Sequence, residues 1–365
     1  MPSASIIIPT HNRGELLMQT VGSVRAQTVV DFEAIVVDDH STDDTAERMK
    51  SILAQDSRFR MISVPDGRSG AQAARNIGIE ASAGRYLILL DSDDLIAPHC
   101  LKQRLEVMQQ YPELDFAVFP CECFRTSAGD VGVFWNVPTD KPDLDRFLEG
   151  DVPWQTTSPM WKREAIVSLL PWPENVPVGQ DWEFHIRAIV RGLKYGYFGT
   201  VDHSWRMAES ERDSIGKRTM KPELLKSRVA TNEMVLNFVR NAGLLNDLRR
   251  AMFAGLFFQS AERIGTRVGW RDGLAVWERA RGLDLITDRQ LAQGRRYFWM
   301  YRFKSLRSWL RGRLQRAWPK GYIVPKSETY LKAPIVGATH ASPDLRATAP
   351  AAGDACVAPT GSRHV

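Results

Sequence analysis

The chain has little of what marks the simplest functional classes. Four cysteines occur in 365 residues: Cys100, Cys121, Cys123 and Cys356. So few, at irregular spacing, build neither a disulfide framework nor a zinc site. Cys121 and Cys123 form a C-x-C pair without a second pair. Side chains two apart on a strand share a face, so packing accounts for them. No apolar run approaches the roughly 18–20 residues of a membrane span. The first residues, MPSASIIIPTHNRGE, lack the basic region and cleavage site of a secretory leader. The expectation is a soluble cytoplasmic protein that can still touch the inner face of a membrane from outside the bilayer. Neither sign of charge dominates. A net charge of +5 with a pI near 9.0 suits an acidic ligand or an anionic surface, without indicating nucleic acid. A hydrophobic fraction of 44% and a charged fraction of 25% exclude a fully disordered chain, a collagen-like fibre and a polytopic membrane protein. The length predicts two domains, or one large domain with an extension.

The first third alternates short apolar runs with amphipathic ones. Strands are expected at Ser5–Ile8, Phe32–Val37, Arg60–Val64 and Tyr86–Leu90. Helices are expected at Glu15–Gln27, Ser41–Leu53 and Gly70–Ala81, with Ser41 or Thr42 capping the second. Fully apolar strands between amphipathic helices imply an α/β fold whose mostly parallel sheet is covered on both faces. Ligands of such sheets bind at the carboxyl ends of the strands. The polar segments Pro9–Gly14, Asp38–Asp44 and Asp91–Asp94 fall there. The middle is less regular, with a helix near His99–Gln110, a strand near Phe116–Phe124 and a helix at Asp181–Arg191. Helical spacing resumes from Lys221 to Arg281. After Ala333 the composition is Ala, Pro, Thr, Ser and Gly, which buries too little apolar surface to offset its ordering entropy. The expected organisation is 1–212 as a catalytic domain (1–95 and 96–212 as its halves), 213–332 as a helical, basic extension, and 333–365 as a disordered tail.

Asp91-Ser92-Asp93-Asp94 is the sharpest local feature. Three carboxylates in four residues repel one another, and a hard divalent cation removes the repulsion. Mg²⁺ is held by one or two carboxylates plus substrate phosphates, which suits this pattern at a strand end. The competing reading is an acidic turn whose aspartates cap the segment beginning at Leu95. Asp38 to Asp44 form a second acidic cluster. Part of it caps a helix, and Asp39, with Asp38 behind it, is placed to accept from a base or a ribose hydroxyl. His11 can stack on a base or be merely solvated. Arg75 lies on a helix of small residues, where burial requires a partner. Either one of these aspartates or a ligand phosphate would serve. Gly78 and Gly84 read as packing and turn glycines.

These pieces resemble the family 2 glycosyltransferases and their GT-A fold. The likeness rests on SIIIPTHNR at Ser5–Arg13, IVVDDHSTDDT at Ile35–Thr45 and GAQAARNIGIEASAGRYLILLDSDD at Gly70–Asp94. It extends more weakly to VGQDWEFHIRAIVRG at Val178–Gly192 and covers about the first 210 residues. The resemblance implies a GT-A catalytic domain that binds a nucleotide-diphosphate sugar, a UDP-sugar first. Pro9, Thr10 and His11 would line the base pocket, Asp39 would hold the base or ribose, and Arg75 would support the nucleotide. Asp91 and Ser92 would reach the ribose side. Asp93, with Asp91, would coordinate Mn²⁺ or Mg²⁺ bridging the diphosphate. Gln180-Asp181 matches the motif opening the acceptor-side helix. Asp181 would then be the general base of an inverting transfer, with Glu183 as the alternative base and helix capping as the bland role. His203 and Arg206 follow where related enzymes place diphosphate or metal contacts. His40 departs from the family, which usually has Gly or Asn there; histidine tolerates unusual backbone better than most residues. The acceptor implied at family level is a hydroxyl of a glycan, polysaccharide or lipid-linked glycan of a bacterial envelope.

Two other functions compete. A nucleotidyltransferase shares such an α/β half but commonly places a glycine-rich loop and a lysine after the first strand, where this chain has Pro-Thr-His-Asn-Arg. A catalytically silent binding or scaffold protein would not need Asp91, Asp93 and Asp181. From Arg289 to Lys326 there are eleven Lys or Arg and no Asp or Glu. Trp299, Phe303, Leu306, Leu310, Leu314 and Trp318 recur there at helical spacing. This segment reads as an interfacial helix on anionic membrane, or as a helix packed on the catalytic domain with its basic face solvated. No nucleic-acid module accompanies it.

Overall fold

The structure is a computed structural model that describes residues 1–135, 137–207, 221–300, 321–323 and 344–346. The first ninety residues alternate as expected. Strands β1 (Ala4–Thr10), β2 (Phe32–Asp38), β3 (Phe59–Ser63) and β4 (Tyr86–Leu89) alternate with helices α1 (Gly14–Arg25), α2 (Thr45–Gln55) and α3 (Ala71–Ala81). β2 pairs in parallel with β1 and β3, and β1 with β4. After β4 come β5 (Leu95–Ile96), α4 (Cys100–Gln110), β6 (Phe116–Val118), β7 (Cys121–Phe124) and β8 (Val133–Phe134). They are followed by α5 (Asp143–Glu149), β9 (Pro159–Lys162), α6 (Arg163–Ser168), α7 (Gln180–Val190), β10 (Tyr195–Tyr197) and β11 (His203–Arg206). A last short strand, β12, spans Asp344–Arg346. The large sheet runs β12-β10-β6-β9-β4-β1-β2-β3, and a small one runs β5-β11-β7-β8. β9 is antiparallel to both its neighbours, so the sheet is parallel-rich rather than wholly parallel.

Two expected boundaries move. The strand expected over Phe116–Phe124 is two strands in different sheets. Pro120 stands between them and cannot donate to a ladder. The helix expected from Ser41 starts at Thr45, and neither Ser41 nor Thr42 caps it. The intervening loop is held instead by Asn12 Oδ1, which accepts from Thr42 N at 2.7 Å and Asp43 N at 3.2 Å. Within the 333–365 tail, β12 runs antiparallel to β10. The rest of the tail lies outside the described residues.

Alternation along the strands divides the core into two layers. Ile7, Ile35, Val37, Leu87 and Leu89 face one layer. Ile6, Ile8, Ala34, Val36 and Ile88 face the other, with α1 and α4 above them. The first layer continues without a break into the C-terminal helices α8 (Pro222–Asn241), α9 (Asp247–Arg267), α10 (Trp270–Gly282) and α11 (Asp288–Met300). Val235, Leu236, Phe253, Phe257, Trp277 and Phe298 belong to the same buried cluster as Trp161 and Phe184 of the sheet side. Arg249 of α9 pairs with Asp145 of α5 at 2.6 Å. None of the described helices is long and apolar enough to cross a membrane. Cys121 and Cys123 are buried, unbonded thiols that share a small cluster with Trp135, as the packing reading expects.

The close approach of α3 to the sheet is set by Gly78. A Cβ there would lie 2.3 Å from Ile7 Cγ2 and 3.1 Å from Val37 Cγ2. Gly22, exposed on α1, has nothing within 4 Å of its own added Cβ. Both are helical, so the two sites separate packing from propensity. Gly78→Ala is expected to destabilise by about 1–3 kcal/mol through overpacking. Gly22→Ala should stabilise by about 0.5–1 kcal/mol through helix propensity. Chemical denaturation of the two variants beside the parent checks the pair; equal effects would mean that α3 does not sit this close.

Candidate functional site

The ends of β1, β2 and β4 bring the polar segments together. Thr10 and Asp38 are register partners, and Asp39 N donates to Thr10 O at 2.8 Å. His11 Nδ1 lies 2.5 Å from Asp39 O, so the first two loops touch. Asn12 and His40 both adopt left-handed backbone, at φ 50° and 58°. The departure at His40 therefore falls where the turn demands a residue that tolerates this region. The Asp39 carboxylate accepts from Gly70 N at 2.7 Å, at the start of α3. It thus balances the positive end of that helix. Asp38 accepts weakly from Ser41 N at 3.3 Å. The Thr10 side chain is buried, and its hydroxyl finds no partner among the described residues. Such a buried hydroxyl calls for a partner that the described residues do not supply.

The Asp91–Asp94 turn is balanced by three arginines from three distant elements. Arg75 of α3 donates to Asp91 Oδ1 at 2.7 Å, which is the ion pair that its burial requires. Arg75 also reaches Gln180 Oε1 at 3.2 Å and stacks over Trp172 at 4.9 Å. Arg13 lies 2.6 Å from Asp93 Oδ2. Arg206 Nε donates to Asp93 O at 2.8 Å, and its backbone N donates to Asp94 Oδ1 at 2.9 Å. Loss of solvent raises the Asp93 carboxyl above the ordinary range; Arg13 opposes the rise and Asp91 adds to it. Burial, then Asp93 and Asp91, push Asp94 well above that range. Ser92 is buried in the turn.

Among the described residues, no three His, Cys, Asp or Glu side chains gather into a ligand set. The turn therefore does not fit a cation caged by protein alone. Asp93 and Asp91, paired here with Arg13 and Arg75, could hold one only with substrate phosphates completing its shell, the usual arrangement for Mg²⁺.

A cavity of about 430 Å³ opens beside this turn. Arg75 and Asp91 line it, as do Gly179, Gln180 and Asp181 at the start of α7. Arg228 and Asn232 of α8 close it, with Gln259, Ser260 and Arg263 of α9. Pro9, Thr10, His11, Asp39 and Asp93 do not line it. Of the residues expected to hold the donor, Arg75 and Asp91 meet this cavity. Asp181 is half-buried, and its Oδ1 accepts from Trp182 N at 2.9 Å.

Two expected neighbours of the chemistry are occupied elsewhere. Glu183, the alternative base, is fully buried 2.8 Å from Arg187. Burial raises its carboxyl and Arg187 pulls it back, so it is bound up in structure. His203 does not reach a diphosphate site. It is buried with Nδ1 2.8 Å from Asp202 and Nε2 3.1 Å from Ser158 Oγ. Arg104 closes this group with a 2.7 Å pair to Asp202. Arg206, by contrast, is on the acidic turn.

Sequence reading assigned no role to Arg13, Gln180, Arg228 or Arg263, and expected Asn12 to shape its own loop, whereas it holds the next one. Arg13 and Asn12 were legible as part of SIIIPTHNR. Gln180 precedes the candidate base, and nothing local marks the last two.

Residues 5–158 match the family model described as "Glycosyl transferase family 2". An uncharacterized glycosyltransferase of Haemophilus influenzae is 40% identical over 110 residues, which is 30% of this chain and 44% of that protein. The chain thus spans less than half the length of this curated relative. Among solved structures, Staphylococcus aureus TarS 1-349 superposes with a TM-score of 0.60 at 16% identity, covering 92% of this chain and 97% of that one. A mannosyltransferase, PcManGT from Pyrobaculum calidifontis, solved with GDP-Man and Mn²⁺, gives 0.50 at 17% identity over 87% and 86%. These two likenesses establish the GT-A fold.

The inner face of α7 carries a test of this geometry. His185 is enclosed by Phe147, Trp154, Trp161 and Phe184, and neither ring nitrogen has a partner among the described residues. Burial, with Arg75 nearby, lowers its pKa to about 3. The unfolded chain protonates this histidine near pH 6.5. The native state therefore keeps its full stability above that value and loses it as pH falls toward 3, at up to about 1.36 kcal/mol per pH unit. His185→Phe should remove this component. The stability difference between parent and variant, read from denaturant midpoints from pH 7.5 to 5, should shift toward the variant as pH falls. A difference constant with pH would mean that the imidazole is not held neutral.

Proposed function

We propose that the chain is an inverting transferase, on the premise that residues 5–158, which match the model of glycosyl transferase family 2, make it a member of that family. Its donor is a nucleoside-diphosphate sugar, and its acceptor is a hydroxyl of a glycan, polysaccharide or lipid-linked glycan. One observation supports this above the others. Asp181, with no arginine or lysine within ion-pair distance among the described residues, lines the same cavity as the Arg75–Asp91 pair. Gln180 joins the two through Arg75.

In this reading the β1 and β2 loops take the nucleotide. Pro9, Thr10 and His11 meet the base, with Thr10 offering its unpaired hydroxyl. Asp39 stands where β2 ends and accepts from the base or ribose. Asp91 and Ser92 meet the ribose side, and Arg75 holds Asp91 in place. Asp93 and Asp91 would hold Mn²⁺ or Mg²⁺ with the donor phosphates, and the cation would stabilise the leaving diphosphate. Asp181 accepts the acceptor's hydroxyl proton as that oxygen bonds to the anomeric carbon and the bond to diphosphate breaks. Attack from the face opposite the leaving group inverts the centre. The burial of Glu183 against Arg187 favours Asp181 over it as base. The PcManGT complex with GDP-Man and Mn²⁺ supports testing GDP-sugars beside UDP-sugars.

Thermal shift with a panel of UDP- and GDP-sugars, with Mn²⁺ and with EDTA, is the first experiment. Stabilisation by one donor is expected with Mn²⁺, weakened in EDTA and in Asp93→Ala. Asp181→Asn should keep donor binding and lower transfer by about 10²–10⁴, the scale of lost general-base assistance. No stabilisation by any donor would overturn the transferase reading. Parental rates in Asp181→Asn would move the base elsewhere.

Contact with anionic membrane through 289–326 belongs to the same proposal. Most of that segment lies outside the described residues. In α11, Tyr297 and Phe298 are buried in the protein, whereas Trp299 is 52% exposed. Sedimentation with phosphatidylglycerol vesicles is expected at low salt and less at high salt, since each surface-near Lys or Arg contributes about 1 kcal/mol that salt screens. Equal, negligible sedimentation at both salts would leave the segment as packing.

A further inference from the structure

Arg228 and Arg263 are the least explained charges in the molecule. They stand on α8 and α9, and both face the cavity that holds Asp181. Among the described residues, no carboxylate lies within ion-pair distance of either. Loss of solvent and the charge of Arg263 lower the Arg228 pKa to about 10, and Asp181 only partly offsets this. Arg263 is lowered as well, chiefly by loss of solvent. Two like charges half-removed from water on one wall carry a cost that a structural role does not explain. Room has also been made for one of them. Gly179 has φ 77°, and a Cβ there would lie 2.8 Å from Arg228 Nη1. The guanidinium therefore packs on bare backbone beside Gln180 and Asp181. In the transferase reading the donor diphosphate is met elsewhere, by the cation that Asp91 and Asp93 would hold.

We propose that Arg228 and Arg263 bind an anionic group of the acceptor, a phosphate or a carboxylate, and so place its hydroxyl at Asp181. The planar forks of two guanidiniums match such oxyanions bidentately. This rests on the transferase reading above and adds the acceptor's chemical class to it. The C-terminal helices then supply specificity as well as packing, because both arginines come from them.

The test uses the full chain with its donor site filled by Mn²⁺ and the nucleoside diphosphate of whichever donor the panel identifies. Glycerol 3-phosphate and glucuronate are the anionic probes, and glycerol and glucose their neutral counterparts, titrated by calorimetry. Binding of an anionic probe but not of its neutral counterpart is expected, weakened about tenfold or more in Arg228→Gln and in Arg263→Gln. Donor affinity should not change in either variant. Arg228→Lys, which keeps charge and loses the fork, should fall between and serves if the glutamine variant does not fold. Absence of binding by both anionic probes would overturn the proposal. So would a loss of donor affinity in the variants, which would assign the pair to the donor diphosphate. If the parent binds no donor at all, the transferase reading fails first, and the acceptor assignment falls with it.

Discussion

Three carboxylates within four residues at the end of β4 impose the constraint that organises this molecule. Their mutual repulsion has to be met, and the chain meets it with cations drawn from far apart. Arg75 comes from α3 and Arg13 from the loop after β1, paired with Asp91 and Asp93 at 2.7 and 2.6 Å, while Arg206 of β11 gives its guanidinium to the Asp93 carbonyl and its backbone N–H to the Asp94 carboxylate. Each contact fixes one element against the turn. Arg75 places α3 and, through Gln180, the start of α7. Arg13 sets the first loop, on which Asn12 then organises the second. Arg206 ties the small sheet to the large one. The turn is thus the point where the two halves of the sheet are registered.

The second organising fact is that the C-terminal helices share the core of the catalytic domain. The alternation that points Ile7, Val37 and Leu89 to one face of the sheet buries them in the cluster that also holds Val235, Phe253 and Trp277. A surface of that kind cannot be stripped without exposing large apolar area to water. The helices that cover this face also wall the cavity beside Asp181. Packing and access to the candidate base are therefore set by the same elements, and substitutions deep in α8 or α9 act on both.

Much of this was legible in the sequence, and the reasons are local. Continuous apolar runs at β1, β2 and β4 gave parallel strands because burial on both faces leaves no polar alternation. Acidic and small residues after those runs gave the loops. Arg75 on a helix of small residues called for a partner, open between one of the aspartates and a ligand phosphate, and Asp91 takes that place. The failures are equally physical. The strand at Phe116–Phe124 broke because Pro120 carries no donor, which was visible. The start of α2 moved because Asn12, some thirty residues earlier, captures the backbone that Ser41 or Thr42 would have capped. His203 was misplaced because its distant partners Arg104 and Ser158 are contributed by tertiary structure, although Asp202 beside it was in view. No pattern within α8 or α9 says that two arginines, 35 positions apart in sequence, face one cavity.

The treatment of arginine across the chain sharpens that last point. Wherever this protein buries a guanidinium for structure, it supplies a carboxylate: Asp202 for Arg104 at 2.7 Å, Glu183 for Arg187 at 2.8 Å, Asp151 for Arg146 at 2.9 Å. For Arg104, burial alone would weaken the charge, yet Asp202 overrides it and holds the proton more firmly than in water. Arg228 has the opposite balance: burial and a second arginine weaken its charge, and among the described residues Asp181 alone favours it. The difference does not arise from helix propensity, which tolerates arginine equally at all of these sites. It reflects what each side chain faces. Arg104 and Arg187 face protein, and Arg228 and Arg263 face the cavity. A buried charge left without its partner is strongly destabilising, by about 3–5 kcal/mol where pairs have been broken. Retaining two on one wall is consistent with a partner that arrives from solution.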